Sequence, residues 1–198
     1  MDALNRTFIG VRLPLSLLPK VAEIQQVIRY RAGADVVRWI PNQELQLTVM
    51  ALGELSLPIV EQVQRIAGPM FGLFPQLKLN LEGLVGAPSN LQPRFIGAGI
   101  TGDVAALTTI HNQLEAKLIP ILREYQAKPF QPHVDLGRIK IESEQNRTAL
   151  GRAIKMAQLG QVASFDVPAL ELMRTVTSAA GPSLELIKSY PLGVAAPA

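Results

Sequence analysis

The apolar residues of this chain change period repeatedly, from two to between three and four and back, from residue 7 to residue 192. No glycine-rich phosphate loop interrupts the alternation. A chain of that kind builds strands throughout its length with helices between them, which predicts an α+β fold with a mainly antiparallel sheet. Residues 7–13 predict a first strand that stops at Pro14. Leu17, Leu18, Val21, Ile24, Val27 and Ile28 then recur at helical spacing, with Ser16, Pro19 and Lys20 as a start and Ala32-Gly33 as an end. Strands are predicted over residues 36–40, 45–52, 77–85, 94–100 and 133–141, and over 163–176 and 184–192 with a turn at 178–182 between them. Helices are predicted over 59–67, 103–124 and 143–159, the last with Ala149, Ile154, Met156 and Ala157 inward. Pro120 should kink or split the helix that contains it. The prolines at 129 and 132 hold residues 128–132 extended.

The 198 residues suit one domain or two small lobes sharing a core. With no cysteine, a disulfide scaffold, a zinc ribbon, an iron–sulfur site and thiol catalysis are excluded together. A net charge of +3, without any basic run, permits an anionic ligand but does not argue for one. The N-terminal residues lack the pattern of a signal peptide and no run of 18 apolar residues occurs, so a cytoplasmic protein is expected. Only two histidines are present, so any imidazole chemistry must use His111 or His133. His111 lies in the middle of a predicted helix, where a surface or helix-packing role is the simplest reading.

His133 opens the strand His133-Val134-Asp135-Leu136 directly after Pro132. By strand parity His133, Asp135 and Gly137 share one face, and Val134, Leu136 and Arg138 the other. An imidazole beside a small polar residue on an open strand face can bind a phosphate or move a proton. It can equally be a half-buried histidine bonded to Asp135 or to the backbone. An echo of this segment, Gln46-Leu47-Thr48-Val49, follows Pro41. Its parity puts Gln46, Thr48 and Met50 on one face, and alone it is an ordinary strand.

Together the two segments resemble the paired His-x-Thr-x motifs of the 2H phosphoesterases, especially the bacterial RNA 2′,3′-cyclic phosphodiesterases once called 2′-5′ RNA ligases. The resemblance runs through Arg6–Pro14, Val37-Arg38-Trp39-Ile40-Pro41, Leu52-Gly53-Glu54, Pro93-Arg94-Phe95-Ile96, Pro129-Phe130-Gln131-Pro132-His133, Gly137-Arg138 and Tyr190-Pro191-Leu192. It implies two pseudo-symmetric lobes, each an antiparallel sheet with flanking helices, around a central groove. On this reading residues 1–192 form one bilobal domain and 193–198 a frayed tail. It also implies a monomer that needs no metal or other cofactor, and a nucleotide or an RNA with a cyclic phosphate end as partner.

The departures from the motifs fall on the positions that carry the chemistry. Gln46 stands where the first histidine is expected, while Thr48 keeps the threonine. His133 keeps the second histidine, but Asp135 replaces its threonine. In the family the two histidines transfer protons on either side of one phosphate, and the threonines bond its oxygens. His133 and the Gln46 position are therefore the implied catalytic pair, with Thr48, Asp135 and Arg94 as implied substrate contacts. Gln46 can donate a hydrogen bond but cannot transfer a proton near neutral pH. Losing a positioned acid or base forfeits about 10²–10⁴ in rate. Asp135 removes a donor, sets a negative charge against the phosphate and raises the pKa of His133. Weak or changed phosphodiesterase activity is expected; the alternative is a non-catalytic protein that binds a nucleotide or RNA end, or another partner, on the same fold.

Overall fold

A computed structural model describes residues 6–33, 35–122, 125–127, 129–140, 142–157, 159–178 and 181–193. The strands are β1 (Arg6–Arg12), β2 (Val37–Trp39), β3 (Gln46–Glu54), β4 (Leu77–Ala87), β5 (Phe95–Gly102), β6 (His133–Ile139), β7 (Gln161–Val167), β8 (Ala169–Ser178) and β9 (Gly181–Pro191). The helices are α1 (Leu18–Ala32), α2 (Leu57–Phe71), α3 (Val104–Leu118) and α4 (Glu144–Ala157). The fold is α+β, and the described residues form one curled sheet of nine strands in the order β7-β4-β5-β6-β3-β1-β8-β9, with β2 paired to β6. The named strands pair antiparallel throughout.

The two segments singled out in the sequence become β3 and β6, side by side at the centre of the sheet. They share a single registered pair, Leu47 opposite Val134, and both side chains are fully buried. The two predicted lobes are thus the two halves of one sheet, joined at that pair. Helices α2 and α3 pack together, with α3 against β3 and α2 against β9. Helices α1 and α4 pack together, with α1 against β2 and α4 against β4. The stripe Leu107, Ile110, Leu114 and Leu118 of α3 is fully buried, as its spacing predicts.

Prolines set two boundaries. α3 ends at Leu118 and a 3-10 turn, Ile119–Ile121, follows, so Pro120 splits the helical pattern. The strand predicted over 163–176 is in fact two, β7 and β8, broken at Pro168. β7 lies on the outer edge beside β4, whereas β8 pairs with β1, so the chain crosses between the halves at this proline. Pro168 cannot donate to a ladder, but its carbonyl accepts from Leu192 N at 2.8 Å. In α4 the inward residues are Leu150, Gly151, Ala153 and Ile154, while Met156 is 55% exposed, which corrects the predicted face. Gly193 is tied to Phe74 O at 2.7 Å, so the predicted frayed tail does not begin there. Residues 194–198, and parts of the predicted 103–124, 128–132, 133–141, 143–159 and 178–182 segments, lie outside the described residues. Among the described residues no helix is long and apolar enough to cross a membrane.

Candidate functional site

β3 and β6 carry the same irregularity at the same place. Between β1 and β3 the register runs from Gly10–Thr48 to Ile9–Met50, leaving Val49 as an extra residue. Between β5 and β6 it runs from Gly97–Asp135 to Ile96–Gly137, leaving Leu136 extra. Each bulge comes directly after the third residue of its segment, and it shifts the parity of the residues that follow, in β3 as far as a second bulge at Leu52. Gln46 and Thr48, like His133 and Asp135, keep the open face. Met50, predicted to join them, turns inward and is 1% exposed. Arg138, predicted on the opposite face, instead reaches Asp135 Oδ2 at 3.6 Å.

Two further features repeat. The residue opposite Thr48 is Gly10 and the residue opposite Asp135 is Gly97. A Cβ on Gly10 would collide with Leu47 O, and one on Gly97 would lie 2.9 Å from both His133 Cδ2 and Val134 O. Beneath each bulge a buried polar side chain serves the carbonyl of the extra residue. His111 of α3 donates from Nδ1 to Val49 O at 2.8 Å. Gln25 of α1 donates from Nε2 to Leu136 O and to Ile40 O, both at 3.1 Å. His111 is 5% exposed and stacks on Phe130 with ring centroids 4.4 Å apart, so it packs α3 onto the back of β3.

Gln46, Thr48, His133 and Asp135 line one cavity of about 170 Å³. Four residues not anticipated from the sequence complete its wall. Ile40 and Glu44 come from the approach to β3, and Thr175 and Leu184 from the β8–β9 hairpin, where they pair with each other. Glu44 stood two residues before Gln46 in plain view, at the end of the 3-10 turn Asn42–Glu44. Thr175 and Leu184 arrive through the curl of the hairpin, for which local pattern holds no signal. Arg94 is not in the wall; its Nε lies 3.5 Å from Glu142 Oε1.

His133 is held at three points. Its Nδ1 donates to Gln131 O at 2.6 Å, its Nε2 lies 3.3 Å from Asp135 Oδ1, and its ring stacks on Phe95 with centroids 5.1 Å apart. The Asp135 carboxylate is the main cause of a pKa raised above the usual histidine value; burial and Arg138 oppose it, and the Gln131 carbonyl assists. Both ring nitrogens thus face acceptors, an arrangement that suits the imidazolium. Across the cavity, Glu44 Oε1 and Gln46 Oε1 are buried with no hydrogen-bond partner among the described residues. Burial pushes the Glu44 carboxyl pKa up, against the pull of Arg38. Arg12, opposite Gln46 in the sheet, is engaged at 2.8 Å through both Nε and a terminal nitrogen by Glu171, so its charge is already partnered.

No family model matches the chain. It is 26% identical over 147 residues to the RNA 2′,3′-cyclic phosphodiesterase of Aeropyrum pernix, covering 74% of this chain and 81% of that protein. It is 22% identical over 198 residues to the protein of the same name from Aquifex aeolicus, covering 95% and 97%. In structure it is similar to TT0787 of Thermus thermophilus, with a TM-score of 0.74, 21% identity, and 96% and 98% of the two chains covered. It is similar also to E. coli LigT complexed with 3′-AMP, with a TM-score of 0.74, 17% identity, and 96% and 99% covered. The chain is therefore related at low identity to RNA 2′,3′-cyclic phosphodiesterases and shares the LigT fold.

Proposed function

We propose that the cavity between β3 and β6 takes the phosphate of a nucleotide or RNA end, and that the protein is a 2H-phosphoesterase-like hydrolase of 2′,3′-cyclic phosphates whose chemistry is slowed and changed by its altered motifs. The observation that carries this reading is the convergence of Gln46, Thr48, His133 and Asp135, from two strands with matching bulges, on one cavity. The activity for which the relatives are named supports the reaction class, and the complex of E. coli LigT with 3′-AMP supports a nucleotide as ligand.

Thr48 Oγ1 and the Gln46 amide nitrogen are the neutral donors available to phosphate oxygens. His133, favoured as imidazolium, is the proton donor for the departing ribose oxygen. Asp135 acts against the substrate in two ways. It repels an incoming anion, and it already occupies His133 Nε2, so a phosphate must displace that contact. Gln46 accepts no proton, so the strand motifs themselves provide a donor without its complementary base.

Hydrolysis of an oligoribonucleotide ending in a 2′,3′-cyclic phosphate, by wild type and His133→Ala, tests this. Slow turnover by wild type, reduced about 10²–10⁴-fold in the variant, is expected. No turnover by either, with 3′-AMP still bound, would replace hydrolysis with the non-catalytic binding reading.

A further inference from the structure

We propose that Glu44 is the proton acceptor of this site, standing in for the imidazole that Gln46 cannot supply, with His133 as the proton donor. The inference rests on the phosphodiesterase reading above and adds a catalytic residue to it.

Among the described residues, three ionisable side chains line the cavity: Glu44, His133 and Asp135. Asp135 lies between His133 Nε2 at 3.3 Å and Arg138 at 3.6 Å, so its carboxylate faces the ring that must give up a proton and not a water beside the phosphate. His133 faces an acceptor with each ring nitrogen and has no free lone pair to offer. Glu44 is different. It reaches the cavity from a separate element, the 3-10 turn that packs against α1 and β9; its Oε1, like Asp135 Oδ1, is buried without a hydrogen-bond partner among the described residues, but unlike Asp135 it forms no ion pair among them. Glu44 lies two residues before Gln46, while His133 opens the neighbouring strand. A water beside a bound phosphate fits a cavity of about 170 Å³, since a water occupies about 30 Å³ in the liquid. Burial makes the Glu44 carboxylate more basic than an exposed one, which suits the role.

The step balances with these groups alone. The water oxygen bonds to phosphorus as the Glu44 carboxylate takes a water proton. The bond from phosphorus to one ribose oxygen breaks, and that oxygen takes the proton of His133 Nε2. The product is a phosphomonoester. Glu44 is left protonated and His133 neutral, and a proton passing through solvent restores both. The charged group acting on Glu44 is Arg38 of β2; His133 and Asp135 of β6 line the same cavity, and Thr175 of β8 and Leu184 of β9 carry no charge.

The test is the pH profile of cyclic-phosphate hydrolysis by the intact chain, with Glu44→Gln, Glu44→Asp and Glu44→Ala. Wild type is expected to lose kcat on the acidic side as Glu44 protonates. Glu44→Gln is expected to lower kcat about 10²-fold or more with little change in KM, and to lack that acidic limb. Glu44→Asp should retain part of the rate, and formate should restore part of the rate to Glu44→Ala. Hydrolysis that needs His133 but persists within about twofold in Glu44→Gln would overturn this role alone. A wild-type profile with no acidic limb would do the same without any variant. No wild-type hydrolysis at all would overturn both this role and the reading on which it rests.

Discussion

His133 and Asp135 are bound to each other before any ligand arrives, and that pair governs how the site responds to pH. The folded-state pKa of His133 lies above its ordinary 6.5, so the stabilisation it provides is fully present below that value and is lost as pH rises through the raised one. The melting temperature of wild type relative to His133→Gln is expected to be highest in mild acid and to decline as pH rises beyond the ordinary histidine value. A difference that stays constant from about pH 5 to about pH 9 would contradict the pairing. Beside the pair, Gly97→Ala forces a methyl group 2.9 Å from His133 Cδ2 and Val134 O. A cost of about 1–3 kcal/mol in urea unfolding is expected, with a displaced imidazole. At this scale strand parity correctly grouped Gln46 with Thr48 and His133 with Asp135. It failed beyond each third residue, at Met50 and Arg138, because a bulge inserts a residue without leaving any periodic trace. Gly10 and Gly97 marked the two close approaches, yet a glycine in a strand has too many readings to identify one.

The two motif strands are coupled to the helices behind them by Gln25 and His111, each under a bulge. Replacing either with leucine leaves a carbonyl without this donor, and a loss of about 1–3 kcal/mol is expected in urea unfolding. An unchanged midpoint would show that the bulges do not depend on them. Leu47 is the residue through which β3 meets β6, and Leu47→Ala is expected to cost about 2–5 kcal/mol in the same measurement. Most elements were legible because their apolar periods are long and clean, as in α3 and β4. The exception, one predicted strand over 163–176, shows the limit. Apolar residues continue across Pro168, and nothing local reveals that β7 and β8 belong to opposite halves of the sheet.

Over the whole molecule, two sheet halves with matching bulges, matching glycines and matching buried polar supports meet at one pair and leave a cavity beside it. That convergence depends on contacts between residues far apart in the chain, which is why Glu44, Thr175 and Leu184 were not assigned to the site from sequence while Arg94 was. The claim that this cavity is a nucleotide phosphate site can be read directly, because the chain has two histidines and they occupy opposite situations. His133 faces the cavity; His111 is buried against Phe130 and bonded to Val49 O. The measurement is an NMR titration of both imidazoles with 3′-AMP. The account predicts that the His133 ring signals shift on binding as the phosphate displaces Asp135 from Nε2, while those of His111 stay in place. Saturating 3′-AMP that leaves the His133 signals unmoved would contradict it.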